Sequence, residues 1–289
     1  MHNGLFAERV TERRLIPSPR DEMTLGLSIS TALWIALAIV AAVMLGLWLV
    51  QRRTNDAGIV DVGWTALLGI LAIWYAFALD GPAPRRYVVG AAGAIWSFRL
   101  AIYLIVDRIM SGEEDGRYQT IRKNWTANIQ TFFFFFFQAQ GLLDWLLGMV
   151  FLIAIMNPVG VLVWTDYAAV CVWLIAVLGE SIADRQLQQF RRQPESRGKV
   201  CKVGLWRYSR HPNYFFEWMH WWCYVLFAAG SPYVWVTLLA PALMLFLILK
   251  VTGIPPTEAR AIESRGDAYR EYQRTTSALI PWFPKESRS

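Results

Sequence analysis

Apolar residues gather in seven long stretches of this chain, at 25–50, 58–79, 87–107, 129–156, 161–185, 213–230 and 233–253, with polar residues collected between them. A helix needs about 20 apolar residues to cross a hydrocarbon core of roughly 30 Å. The pattern therefore predicts an all-α fold, a polytopic integral membrane protein with seven transmembrane helices. Turn-forming residues punctuate the stretches: Asn55 to Gly58, Gly81-Pro82-Ala83-Pro84, Asn157-Pro158, Gly230-Ser231-Pro232 and Pro255-Pro256. No internal repeat is visible. The division is an N-terminal tail, 1–24, and a single membrane domain, 25–289. The first stretch is too long for a signal peptide and lacks a small-residue cleavage pattern after it, so it is expected to stay as the first helix.

Composition agrees: 55% of residues are hydrophobic and 15% aromatic, more than a soluble domain of this size carries. The net charge of +6 matters chiefly through its placement. Arg52 and Arg53 follow the first stretch, and Arg117, Arg122 and Lys123 follow the third. Arg191, Arg192, Arg197, Lys199, Lys202, Arg207 and Arg210 follow the fifth, and the tail after the seventh is again basic. The opposite loops hold only Arg85 and Arg86. The positive-inside rule then puts the N-terminus outside and the C-terminus in the cytoplasm, against which stand Arg9, Arg13, Arg14 and Arg20 in the N-terminal tail. Charge confined to one membrane face does not suggest a nucleic acid partner. Cys171, Cys201 and Cys223 have no C-x-x-C spacing and histidine is scarce, so neither a disulfide framework nor a metal site is expected.

Charge inside the stretches is what points to chemistry. Arg99 lies well within the third, where a guanidinium is costly and usually functional. Asp61, Glu180, Asp184 and Glu217 fall at about the same side of the membrane. Glu180 and Asp184 are four apart, so they share a helix face and repel unless a cation or donors lie between them. Arg99, a ribose or an amide would satisfy them. Asp61 stands three residues into the second stretch, where it could polarise a carbonyl, orient a proton donor or simply offset the helix dipole. The segment from Gly204 to Glu217 is the densest: Ser209 or Asn213 could cap a helix, Pro212 suits its first turn, and Arg210 and His211 would stand at its positive end, a ready anion site. Asn213 and Glu217 would face one side of that helix. His220, among tryptophans, reads as a packing residue, and Gly90 and Gly93 as a site of close helix approach.

Gly204-Leu205-Trp206, Tyr208 to Tyr214 and Glu217 resemble the G-L-W-x-Y-S-R-H-P-N-Y-x-x-E pattern of the steroid 5-alpha-reductase family, especially its bacterial branch. Arg117-Tyr118 with Arg122, Gly179 to Asp184 with Arg191, and the tail ending Ala278-Leu279-Ile280-Pro281 are similar to further parts of that family. The resemblance implies a seven-helix reductase of a bacterial inner membrane, a monomer among membrane lipids, that uses NADPH. Its substrate would be a small hydrophobic enone, such as a 3-oxo-4-ene steroid reduced to the 5-alpha product. Carried over by position, Arg99, Arg117, Tyr118, Arg122, Glu180, Asp184, Arg191, Tyr208, Arg210, His211, Asn213 and Glu217 would line the cofactor pocket. Asp61 falls where the family has a catalytic glutamate, and Trp96 where it has the tyrosine that donates to the ketone. Tryptophan is a poor acid, so the proton donor is open, and Phe216 stands where a glycine is common and would narrow the pocket. The R-H-P-x-Y segment is also similar to S-adenosylmethionine-dependent membrane methyltransferases of the isoprenylcysteine and phospholipid type, a competing reading that leaves the many arginines unexplained. A non-enzymatic lipid-binding or transport protein is a third.

Overall fold

The computed structural model describes residues 23–110, 114–125 and 127–285. The basic residues of the N-terminal tail and Arg288 lie outside the described residues. The long helices are α1 (Ile29–Thr54), α2 (Ile59–Ala78), α3 (Ala83–Leu104), α5 (Ile129–Ile155) and α6 (Trp164–Arg192), with the short α4 (Gly116–Asn124) between α3 and α5. α7 (Pro212–Phe227) follows a long connection, then α8 (Val234–Thr237), α9 (Leu239–Phe246), α10 (Ile254–Arg265) and α11 (Asp267–Thr275). A π-helical turn prolongs α3 over Ile105–Ile109, and another joins α9 towards α10 over Leu247–Val251.

Among the described residues, six helical runs are long and apolar enough to cross a membrane, one of them the run from Val234 to Arg265. The expected sixth crossing departs from this. α7 has 16 residues, which at 1.5 Å per residue is about 24 Å and short of a hydrocarbon core. It packs against α5, α6 and α9, so neighbouring helices cover it over much of its length. His211 is its N-cap residue and Pro212, with its fixed φ and no N–H, opens its first turn.

The long helices from α1 to α7 alternate in direction, which gives the bundle two unlike ends. At one end the connections are short. Leu25 and Leu27 donate backbone bonds to Phe77 and Ala78 at the close of α2. Arg85, at the start of α3, forms a buried pair with Asp166 on α6 (2.7 Å) and also donates to the carbonyls of Val159 and Val161. Asn157 donates to the carbonyls of Phe227 and Ala229 at the end of α7. At the other end lie the termini of α1 and α6, the starts of α2, α5 and α7, and the elements α4, α10 and α11. Between the ends the core is aromatic and aliphatic, with Leu67, Leu71, Trp96, Phe133, Phe137, Phe151 and Trp221 all buried. Gly93 and Gly90 do permit close approach: a Cβ at Gly93 would lie 2.5 Å from Ala72 on α2.

Candidate functional site

The basic end holds the charged residues singled out in the sequence, sorted into three groups. The first is a chain of contacts across α3, α6 and α7. Arg99 reaches from α3 to Glu180 (2.6 Å) and Asp184 (3.3 Å) on α6. The two carboxylates one turn apart are thus bridged by the cation, as their spacing requires. Trp96, one turn from Arg99, donates its indole N–H to Glu180 (3.0 Å), so its single donor is already spent. Asn213 donates to Asp184 (3.4 Å) from the first turn of α7. Glu217 follows Asn213 by one turn of α7. Both anions are nearly sealed from solvent, whereas the Arg99 side chain keeps 22% exposure.

The second group joins α2 to α4. Asp61 accepts from Arg117 (2.6 Å) and from the Tyr118 hydroxyl (2.8 Å). With donors on both oxygens it acts as an acceptor, which fits orientation of a donor better than polarisation of a carbonyl by a protonated acid. The α4 N-cap Asp115 accepts from the Arg117 backbone N–H and from its guanidinium. Arg122 pairs with Glu114 (3.0 Å), which also accepts from the Ala57 backbone N–H ahead of α2.

The third group is a clasp, and its centre, Glu258 on α10, was not among the residues singled out. Glu258 accepts from Arg210 (2.7 Å), His211 (3.1 Å), Tyr269 (3.4 Å) and Gln273 (2.6 Å). Arg210 also donates to the carbonyls of Gln273 and Thr276. Arg210 and His211 therefore tie the α10–α11 hairpin to the start of α7, and their groups that could bind an anion are largely engaged. Burial lowers the His211 imidazole below its ordinary pKa against the pull of Glu258, so it is neutral at pH 7. Tyr208 belongs here too: its carbonyl accepts from Trp282 N–H (2.9 Å) and its ring meets Phe283 edge-on. Nothing local in the sequence marks Glu258; only the succession Pro255-Pro256, which starts a helix there, hints at it.

Neither Ser209 nor Asn213 caps α7. His211 is the N-cap residue and Pro212 opens the helix, while the Ser209 hydroxyl accepts from His211 N–H and donates to the Leu279 carbonyl (2.7 Å). Arg191 lies apart at the exposed end of α6, 3.5 Å from Asp107. Phe216 is accommodated by Gly179 on α6, where a Cβ would come 2.4 Å from its ring. The bulk at 216 thus fills space that a glycine opposite leaves open.

Several buried polar atoms at the basic end and just below it have no hydrogen-bond partner among the described residues: Arg99 Nε, one terminal nitrogen of Arg122, Asn213 Oδ1, His220 Nδ1 and the indole nitrogens of Trp64 and Trp221. Such atoms are costly unless water or a ligand meets them. Guanidinium donors suit phosphate oxygens, and an amide oxygen suits a ribose hydroxyl or a carboxamide. The donor set therefore fits a phosphorylated nucleotide.

Two clefts open sideways beside α3. One, of about 180 Å³, lies against α2 and is lined by Ile73, Ala76, Phe77, Tyr87 and Gly90 among others. The other, of about 260 Å³, lies against α6 and includes Ala92, Ile95, Trp173 and Phe227. Both are walled by apolar side chains, and Ala92 and Ile95 flank Trp96 on α3.

No curated protein and no solved structure matches the chain. Residues 47–276 match a family model whose description is a protein of unknown function, DUF1295. That stretch runs from the last turns of α1 to the end of the clasp and contains every charged group described above, so the chain belongs to the DUF1295 family, membrane proteins related to the steroid 5-alpha-reductases.

Proposed function

We propose that this protein is an NADPH-dependent reductase of the carbon–carbon double bond of an enone lipid, for which a 3-oxo-4-ene steroid is the natural test substrate. The observation that carries the proposal is Arg99. It stands inside the bundle, bridges Glu180 and Asp184, and retains a buried nitrogen without a partner beside the equally unmatched Asn213 Oδ1. Arg99 and Arg122 would hold phosphate, and Asn213 a ribose or carboxamide group. When bound, NADPH supplies the two electrons and the hydrogen for the β carbon of the enone.

The chain's own part is to bind, orient and exclude water. Glu180 fixes the Trp96 ring at the inner wall of the site. Asp61 holds Arg117 and Tyr118 over the start of α2. The buried aromatic layer below keeps water from the reacting atoms, which strengthens every electrostatic contact there. The apolar clefts beside α3 suit a substrate that arrives from lipid rather than water. The distribution of Lys and Arg favours an inner-membrane protein with the basic end in the cytoplasm, where NADPH is available, and with the N-terminus outside. The unmatched guanidinium donors favour an anionic cofactor over the cationic S-adenosylmethionine.

The test is consumption of NADPH by purified protein in lipid nanodiscs on addition of an enone steroid, with the saturated product identified by mass. Methyl transfer from S-adenosylmethionine, with no oxidation of NADPH, would replace this reading.

A further inference from the structure

His220 read as a packing histidine in the sequence, but its surroundings are not those of one. It is fully buried on α7. Its Nε2 lies 2.8 Å from the Tyr224 hydroxyl one turn on. Its Nδ1 is buried with no partner among the described residues. The ring lies flat against Trp96, with centroids 4.0 Å apart and planes at 16°. Through that ring it touches the Glu180–Arg99 cluster, because the Trp96 indole donates to Glu180. The Trp221 indole N–H, next in sequence and against Trp96 at 5.8 Å, is also unmatched.

A buried ring nitrogen left without a partner costs the desolvation of that group, which packing alone does not return. Here one nitrogen is engaged and the other is buried without a partner among the described residues, in the layer where Trp96 meets Glu180. When the Tyr224 hydroxyl donates to Nε2, the neutral ring carries its proton on Nδ1 and presents a donor. A carbonyl oxygen is what such a donor, in an apolar layer, would take. The layer also meets the need left by Trp96, whose own N–H is spent on Glu180.

We infer that His220, set in its Nδ1–H form by Tyr224, hydrogen-bonds the carbonyl oxygen of the lipid substrate, with Tyr224 as a positioning residue. The inference rests on the reductase reading and names the group by which that site recognises its substrate. It predicts that a carbonyl is required for tight binding, and that a hydrocarbon skeleton of the same shape without the oxygen is bound poorly.

The experiment compares wild type with His220→Phe, which keeps a flat ring against Trp96, and with Tyr224→Phe, which removes one hydroxyl. Quenching of tryptophan fluorescence measures the affinity for an enone steroid and for its deoxygenated analogue, with saturating NADP+ so that no turnover occurs; thermal melting checks folding, and turnover is followed separately by NADPH absorbance. The expected result is a preference of wild type for the enone of at least about tenfold. That preference shrinks to within about twofold in His220→Phe, while affinity for NADPH stays unchanged in both variants. Loss of packing alone would weaken both ligands equally and leave the ratio intact. If His220→Phe does not fold, Tyr224→Phe decides: a preference equal to that of wild type overturns the inference. Wild-type preference and turnover in His220→Phe overturn it and leave the reductase reading standing. A wild-type protein that binds NADPH but no enone, or that does not bind NADPH, removes the reductase reading and this inference with it.

Discussion

The two ends of the bundle both bury arginine among acids and carbonyls, yet they are built differently. At the short-loop end Arg85 is enclosed: Asp166 takes two of its nitrogens and backbone carbonyls take others, with 1% of the side chain exposed. At the basic end Arg99 keeps 22% exposure and has a buried nitrogen with no partner among the described residues. The first arrangement closes a bundle. The second leaves a buried guanidinium nitrogen unmatched. The longer connections and α4, α10 and α11 collect at the same end.

The largest effect should come from the closed end. Arg85→Met leaves Asp166 buried without a partner and should cost about 3–5 kcal/mol of stability. It would be seen as a large drop in melting temperature, with cofactor affinity unchanged in whatever fraction folds. Arg99→Lys, which keeps a cation between Glu180 and Asp184 but loses the guanidinium fork, should do the reverse: NADPH affinity falls about tenfold, with a smaller change in melting temperature. If Arg99→Lys instead unfolds the protein and spares the affinity, the two ends do not differ as described.

Between these lies the packing of α6 on α7, which sets the distance from Asp184 to Asn213. Gly179→Ala drives a methyl into the Phe216 ring and should destabilise by about 1–3 kcal/mol. The double variant with Phe216→Ala should recover most of that loss, by equilibrium unfolding in detergent. No recovery would mean that the two residues do not pack as a pair.

Glu258→Gln weakens its bonds to Arg210 and His211 and should speed trypsin cleavage after Arg260 or Arg265 severalfold, by gel densitometry. The smallest effect is that of pH. Burial lowers the His211 pKa below its ordinary value, so between the two the unfolded segment binds a proton that the folded one refuses. The clasp therefore loses stability as pH falls through about 6.5, and cleavage should quicken over that range in wild type but less in His211→Gln. An opposite slope would show that Glu258 stabilises a charged His211.

Much of the fold was legible because membrane crossing is a matter of length and apolarity. α1, α2, α3, α5 and α6 lie within a few residues of the stretches that announced them. α7, Pro212–Phe227, also falls within three residues of its stretch, but its 16 residues are too few to count as a crossing, because the apolar run continues past the helix into Ala228 to Gly230 and hydropathy alone does not say where a helix stops. Within the site, pairs at helical spacing were readable: Glu180 with Asp184, and Arg99 as their counter-ion. Contacts set by the return of the chain were not. Arg210 and His211 look like free cations until α10 brings Glu258 to them across 47 residues. His220 and Tyr224 are four apart and could have been paired, but tryptophan on both sides of the histidine made packing the simpler reading.

On the reductase reading the basic end grips a phosphorylated nucleotide through Arg99. Titration of purified protein in nanodiscs with NADPH, NADH and S-adenosylmethionine, followed by energy transfer from tryptophan or by calorimetry, tests it directly. The expected result is saturable NADPH binding at least about tenfold tighter than NADH, weakened by salt and by Arg99→Lys. Binding of S-adenosylmethionine in its place, or NADPH affinity indifferent to Arg99, would contradict it.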